Sequence, residues 1–200
     1  MWSILEKYSI KTARTALIFS EKTLSDIIKD FEYPIVLKPF SKTGIHKSDL
    51  GLIFSNITKR EDALLAFYKI KEIMQKNKLE FEGILIQEKI EGIELIVGAK
   101  KDPVFKSVIA FGLGGIFVEI LKEIQFRTAP ITKEEALELI ESTKVIEIIK
   151  SRGRDYDENK IADFLFNVSQ MISTEKITAV DLNPAIVNEK GIFAVDFRIK

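Results

Sequence analysis

The apolar positions change their period along the chain, and each change marks an element. In "TLSDIIKDF" they recur three and four residues apart, as on an amphipathic helix. "YPIVLK", a β-branched run after a proline, predicts a strand, and "LIFSNI" predicts a second. Helical spacing returns over "REDALLAFYKIKEIMQKN", with Thr58 and Glu61 placed to form a capping box at its start. "GILIQEKI" reads as a strand entered from a glycine, and "IELIVGAK" and "VFKSVIAFG" as two strands joined across a hairpin turn at "KDP". Thr132 with Glu135 caps the helix "KEEALELIEST", and Asp157 opens another that runs to about Ser173. The closing "ITAVDLNPAIVNEKGIFAVDFRI" reads as strands around the turn "NEKG". Helices mixed with hairpins lack the strict βαβ alternation of a doubly wound parallel sheet, so the expected class is α+β. The hairpin after residue 90 begins a second lobe.

Composition narrows the classes. Two hundred residues, 46% of them hydrophobic, suit one large domain or two lobes around a shared cleft. Thirty basic and thirty acidic residues cancel, and the pI is near 6.7. No global field draws the chain to nucleic acid or to a membrane surface, so any anion site is local. The lack of cysteine excludes disulfides and thiolate zinc sites and fits a reducing compartment. No apolar run approaches the roughly 20 residues that span a bilayer, and "MWSILEKYSI" lacks a signal-peptide pattern. A cytoplasmic location is expected, with neither nucleic acid nor membrane as partner.

Four places carry chemistry. Lys38 ends the apolar strand "PIVLK" on the face of Val36, where it can present a point charge to a phosphate; position alone leaves a solvated strand-end lysine equally open. In "FGLGGIFVE", Gly112, Gly114 and Gly115 can turn main-chain N–H groups onto phosphate oxygens, or simply make a tight hairpin. "VDLNPAIV" and "AVDFRI" place Asp181, Asn183 and Asp196 on two strands joined by a short turn. Oxygen ligands so placed suit Mg²⁺, and the alternative is that they are solvated or paired with Arg198 or Arg127. The only histidine, His46, lies in the polar loop "GIHKSDLG" beside Lys42, Lys47, Ser48 and Asp49 rather than in a core.

In order and spacing these motifs resemble the β subunit of ADP-forming acyl-CoA synthetases (acetate–CoA ligase, ADP-forming), an ATP-grasp domain. The likeness runs from "LEKYSIKTARTALIFS" through "HKSD", "GILIQEKIEGIELIVGAKKDPVF", "FGLGGIFVEILKEIQFRTAP", "SRGR" and "DLNPAIV" to "AVDFRI". It implies an ATP-grasp fold, two mixed α/β lobes enclosing a nucleotide cleft, with lobes of about 1–90 and 91–200. It implies a relay in which an acyl phosphate formed on a partner α subunit phosphorylates a histidine there, and this chain passes the phosphoryl group to ADP. His46 matches the family's second phosphohistidine, with Arg127 near the transferred phosphate and Asp181, counted with them as catalytic, at the Mg²⁺-binding acidic end. Lys38 matches the phosphate-binding lysine, Gln87, Glu88 and Ile90 the hinge that lines the adenine, and Glu94, Gly114 and Gly115 the nucleotide side of the second lobe. Asn183 and Asp196 match the Mg²⁺ ligands, with ATP or ADP as substrate. The implied partner is an α subunit carrying the CoA-binding and ligase domains, in an α2β2 assembly, so this chain alone is not expected to activate an acid. Where many relatives carry a glycine pair after "HKSD", Gly51 is followed here by Leu52. Two other readings compete: an ATP-grasp carboxylate–amine ligase, against which "HKSD" speaks, and a non-catalytic nucleotide-binding module.

Overall fold

The computed structural model describes residues 2–40, 50–115, 123–151 and 156–200. His46 and its loop lie outside them, as do residues 116–122 and most of "SRGR". The chain forms two compact units, Ala13–Lys89 and, taken together, Met1–Thr12 with Ile90–Lys200. This corrects the expected first lobe of 1–90, because the first twelve residues pack with the C-terminal part. Helix α1 (Trp2–Lys7) places Leu5, and the turn after it places Ile10, in the hydrophobic core of the larger unit. Trp2 stands edge-on to Phe197 at 5.4 Å, Tyr8 donates to Glu175 at 2.9 Å, and the Ala194 N–H donates to the Lys11 carbonyl at 2.8 Å.

The smaller unit is an antiparallel sheet backed by helices. Its strands are β1 (Thr15–Ile18), β2 (Ile35–Pro39), β3 (Phe54–Ile57) and β4 (Ile84–Glu88), in the order β1-β4-β2-β3. Alternation sends Ile35 and Leu37 of β2 and Ile84 and Ile86 of β4 into a core closed by helices α2 (Glu21–Ile27) and α3 (Arg60–Lys76). From α3 come Ala63, Ala66, Phe67, Ile70 and Met74, spaced three and four apart. Leu52, which replaces the expected second glycine, is fully buried in this core. Thr58 does not cap α3: the helix starts at Arg60, so Lys59 holds the cap position, without a side-chain hydrogen bond. The capping-box spacing was satisfied one residue too early.

The larger unit repeats the plan. Its strands are β5 (Ile93–Asp102), β6 (Lys106–Leu113), β7 (Ile124–Thr128), β8 (Ala179–Asn188), β9 (Gly191–Ala194) and β10 (Phe197–Ile199), of which β5, β6 and β8 are longer than those of the smaller unit. Their order is β10-β8-β5-β6-β7, with β9 also on β8, and each pairing is antiparallel. The hairpin predicted at "KDP" joins β5 to β6. Helices α4 (Lys133–Glu141), α5 (Val145–Lys150) and α6 (Glu158–Thr174) supply the rest of the core. Thr132 and Glu135 form the expected capping box, and Asp157 accepts from the Asn159 N–H at 3.0 Å. On the helix-covered face of the sheet lie Leu95, Val97, Ile109, Phe111, Leu182 and Ala185. The intervening residues, Glu94, Gly98, Asp181 and Asn183 among them, project from the opposite face. No helix among the described residues is long and apolar enough to cross a membrane.

Candidate functional site

Lys38 is only 5% exposed although it stands on the face of β2 opposite the apolar core. A buried ammonium needs polar partners, and the sheet supplies them. Val36 pairs directly with Gln87, which makes Lys38 the diagonal neighbour of Gln87 on the same face. The Lys38 Nζ donates to Gln87 Oε1 at 3.2 Å, and Gln87 Nε2 donates to Thr15 Oγ1 at 2.8 Å. Of the two readings left open for Lys38, the solvated strand end is therefore excluded. The next residue, Glu88, points the other way: its Oε1 accepts from the Glu32 N–H at 3.2 Å and lies 3.7 Å from Arg14. The structure thus separates the Gln87 and Glu88 side chains, grouped together by the sequence reading, onto opposite faces of β4. Ile90, half-buried, is the first residue after the smaller unit.

On the larger sheet, β8 carries the polar residues among apolar ones: Asp181 and Asn183 are exposed while Leu182 between them is fully buried. Asp181 pairs with Arg198 of β10, and the Asn183 N–H donates to the Asp196 carbonyl at 3.1 Å, which extends the β8–β10 pairing. Asp181, Asn183, Asp196 and Arg198 are therefore cross-strand neighbours. Partial burial raises the pKa of the Asp181 carboxyl above its ordinary 3.8; the Arg198 guanidinium opposes that rise and the Asp196 carboxylate adds to it. Two carboxylates beside an amide oxygen form a donor set that fits Mg²⁺, a hard cation that takes one or two protein oxygens and fills its sphere with water and phosphate. Among the described residues no group of three or more His, Cys, Asp and Glu could hold a metal by itself. Asn183 and Asp196 would serve as the protein's share of the ligands.

Glu94 lies on β5 opposite Ile186, on the same open face. Its neighbours explain two of the glycines. The Gly114 N–H donates to the Glu94 carbonyl at 2.7 Å, and a Cβ on Gly115, whose φ is +59°, would sit 2.6 Å from Glu94 Oε2. A Cβ on Gly112 would meet the Glu123 carbonyl oxygen at 2.4 Å. The backbone contact at Gly112 and the positive φ at Gly115 favour glycine before any ligand is considered, and at Gly114 a Cβ would be tight, 3.0 Å from the Glu94 carbonyl carbon. Arg127 is not brought to this face. It pairs with Ile109, whose side chain is in the core, and its guanidinium reaches Glu138 of α4 at 3.3 Å. The cation across from Asp181 is Arg198, entertained in the sequence only as an ion-pair partner. Thr15 was missed altogether, although the run "TALIF" carries the β-branched and aromatic signal of a strand.

Residues 2–200 match the family model of the ATP-grasp domain. The chain is 39% identical, over 98% of its length, to acetate–CoA ligase [ADP-forming] I of Archaeoglobus fulgidus, and spans 29% of that enzyme. It is 37% identical, again over 98% of its length, to the β subunit of acetate–CoA ligase [ADP-forming] I of Pyrococcus furiosus, of which it spans 87%. In three dimensions it resembles the dinucleotide-forming acetyl-coenzyme A synthetase 1 of Ca. Korarchaeum cryptofilum, solved with coenzyme A, Ca-AMPCP and HgCl⁺. That match has TM-score 0.91 and 35% identity and covers 99% of this chain and 89% of the other. The same synthetase solved with coenzyme A and Mg-AMPPCP, its phosphohistidine segment pointing towards the nucleotide-binding site, matches with TM-score 0.82 and 31% identity over 98% of this chain and 87% of the other.

Proposed function

The chain belongs to the ATP-grasp family, and on that premise we propose that it is the nucleotide-handling β subunit of an ADP-forming acyl-CoA synthetase, acting on acetyl-CoA or a close analogue. The observation that carries the reading is the polar quartet Asp181, Asn183, Asp196 and Arg198, set as cross-strand neighbours on the open face of the larger sheet. Phosphoryl transfer needs fixed charges that spread and align the phosphates more than it needs covalent assistance, and this quartet provides both signs. Mg²⁺, held by Asn183 and Asp196, would neutralise phosphate charge. Lys38 holds a non-transferred phosphate oxygen as a point charge, and Arg198 offers the transferred group a fixed cation in the role first assigned to Arg127. His46 carries the phosphoryl group between subunits: an oxygen of the ADP β-phosphate attacks phosphorus, the P–O bond forms, the P–N bond breaks, and the imidazole leaves with the bonding pair. The assignment of His46 is supported by the "HKSD" motif and by the likeness to the archaeal synthetases.

The supporting chemistry on CoA belongs to a partner. The likeness to the Pyrococcus β subunit supports this reading, since a β subunit implies a partner chain. We assign the CoA-binding and ligase functions to a separate α subunit, in an α2β2 assembly. The test is reconstitution. Acetyl-CoA, ADP and phosphate should yield ATP when both chains are mixed and none with either alone; ATP formed by this chain alone would contradict the division of labour.

A further inference from the structure

The arrangement around Lys38 supports a step beyond this reading, and rests on it in taking Lys38 as a phosphate ligand. We infer that Thr15 and Gln87 are positioning residues, a hydrogen-bonded side-chain relay across β1, β4 and β2 that fixes the Lys38 ammonium for the nucleotide phosphates, and that the Gln87 side chain does not read the base.

The relay has a defined direction. The Thr15 hydroxyl donates to the Ala13 carbonyl at 2.8 Å, which leaves its oxygen to accept from Gln87 Nε2, also at 2.8 Å. The amide is thereby oriented with Oε1 towards Lys38 Nζ, 3.2 Å away. Flipping the amide would set its NH₂ against the ammonium, donor against donor, so the network itself assigns the orientation. Register makes the contacts possible: Thr15 pairs directly with Gln87, and Lys38 is the diagonal neighbour on the same sheet face. Gln87 is 5% exposed, and both ends of its amide are engaged within the smaller unit. A glutamine that recognised a base would need a free amide edge. This one turns Oε1 to the lysine and Nε2 to the threonine, and at 5% exposure it offers little of its remaining N–H and lone pair to a ligand.

The consequence is a separation of phosphate from base. Holding the long, flexible lysine side chain in one rotamer before ligand arrives lowers the ordering cost of binding, and that gain is felt only by ligands that carry phosphate. The experiment measures ADP affinity in the presence of Mg²⁺, adenosine affinity by displacement of ADP, and the ADP-to-GDP preference, on the full chain with its melting temperature recorded. Gln87→Met, close in shape but without the amide, should weaken ADP about 10-fold, and Thr15→Val about 3-fold, while Thr15→Ser restores the wild-type value. In both weakened variants adenosine affinity and the ADP-to-GDP ratio should be unchanged. Combined, the two substitutions should weaken ADP by less than the product of their separate effects, because one relay is broken twice. Equal losses for ADP and adenosine, or a changed ADP-to-GDP ratio in Gln87→Met, would overturn the inference and return Gln87 to the base. Thr15→Val with wild-type ADP affinity would overturn the relay. Lys38→Ala separates the two levels: if ADP binding survives it unchanged, the phosphate role of Lys38 fails and the relay with it, whereas a large loss there beside normal Gln87→Met binding rejects the relay alone.

Discussion

Asp181 shows how a single residue reports on its site. Although the residue is exposed, partial shielding of its carboxyl by the sheet raises the pKa first, Arg198 pulls it back and Asp196 pushes it up. The sign follows from proton counting. Between the ordinary value of 3.8 and the higher folded value, the folded protein binds more protons than the unfolded chain, so stability falls as pH rises through that window and remains lowered above it. Asp181→Asn removes the charge and should raise the melting temperature of the nucleotide-free protein at neutral pH, with the difference vanishing well below pH 3.8. Thermal unfolding across that range checks it, and a lower melting point for the variant at neutral pH contradicts it. Asp181, Asn183 and Asp196 were conspicuous as candidates in the sequence because polar residues interrupt apolar β-runs there. The Lys38–Gln87–Thr15 relay was not, because it depends on the pairing of β1 with β4 and β4 with β2, which no local pattern encodes.

At the scale of elements, hairpins and caps were legible where the signal is local. The β5–β6 hairpin and the Thr132–Glu135 box are both present, whereas the parallel signal at Thr58 fails because α3 begins one residue later than the box requires. Thr132→Ala should therefore cost about 1 kcal/mol, or roughly 2–4 °C in melting temperature for a chain of this size, while Thr58→Ala leaves it within experimental error. Equal effects would refute the cap assignment. Strand parity carries a second prediction. Arg127 shares the helix-covered face with Ile109 and Glu138, whereas Arg198 faces outward with Asp181. Arg198→Ala should slow phosphoryl transfer by about 10²-fold, and Arg127→Ala should change it by no more than about 2-fold, the cost of an exposed ion pair being small. Single-turnover rates decide this, and the reverse order would restore Arg127. Period-two alternation alone could not assign these faces, since it does not say which parity meets the helices.

For the whole molecule, the α+β class and the family were readable from motif order, while the division of the chain was not. Leu5, Ile10 and Trp2 commit the first residues to the larger unit through contacts with segments far along the sequence, including Phe197. The same distance in sequence separates the groups assigned to phosphate: Lys38 and His46 come from early in the chain, Asp181, Asn183, Asp196 and Arg198 from its end. A relay through His46 is the claim that gives this distribution its purpose. It predicts that the chain incubated with labelled ATP and Mg²⁺ acquires an acid-labile, base-stable phosphate, the behaviour of a phosphoramidate, and that His46→Ala abolishes the label while nucleotide binding persists. Label that survives in His46→Ala, or that resists acid as a phosphoserine at Ser48 would, contradicts it.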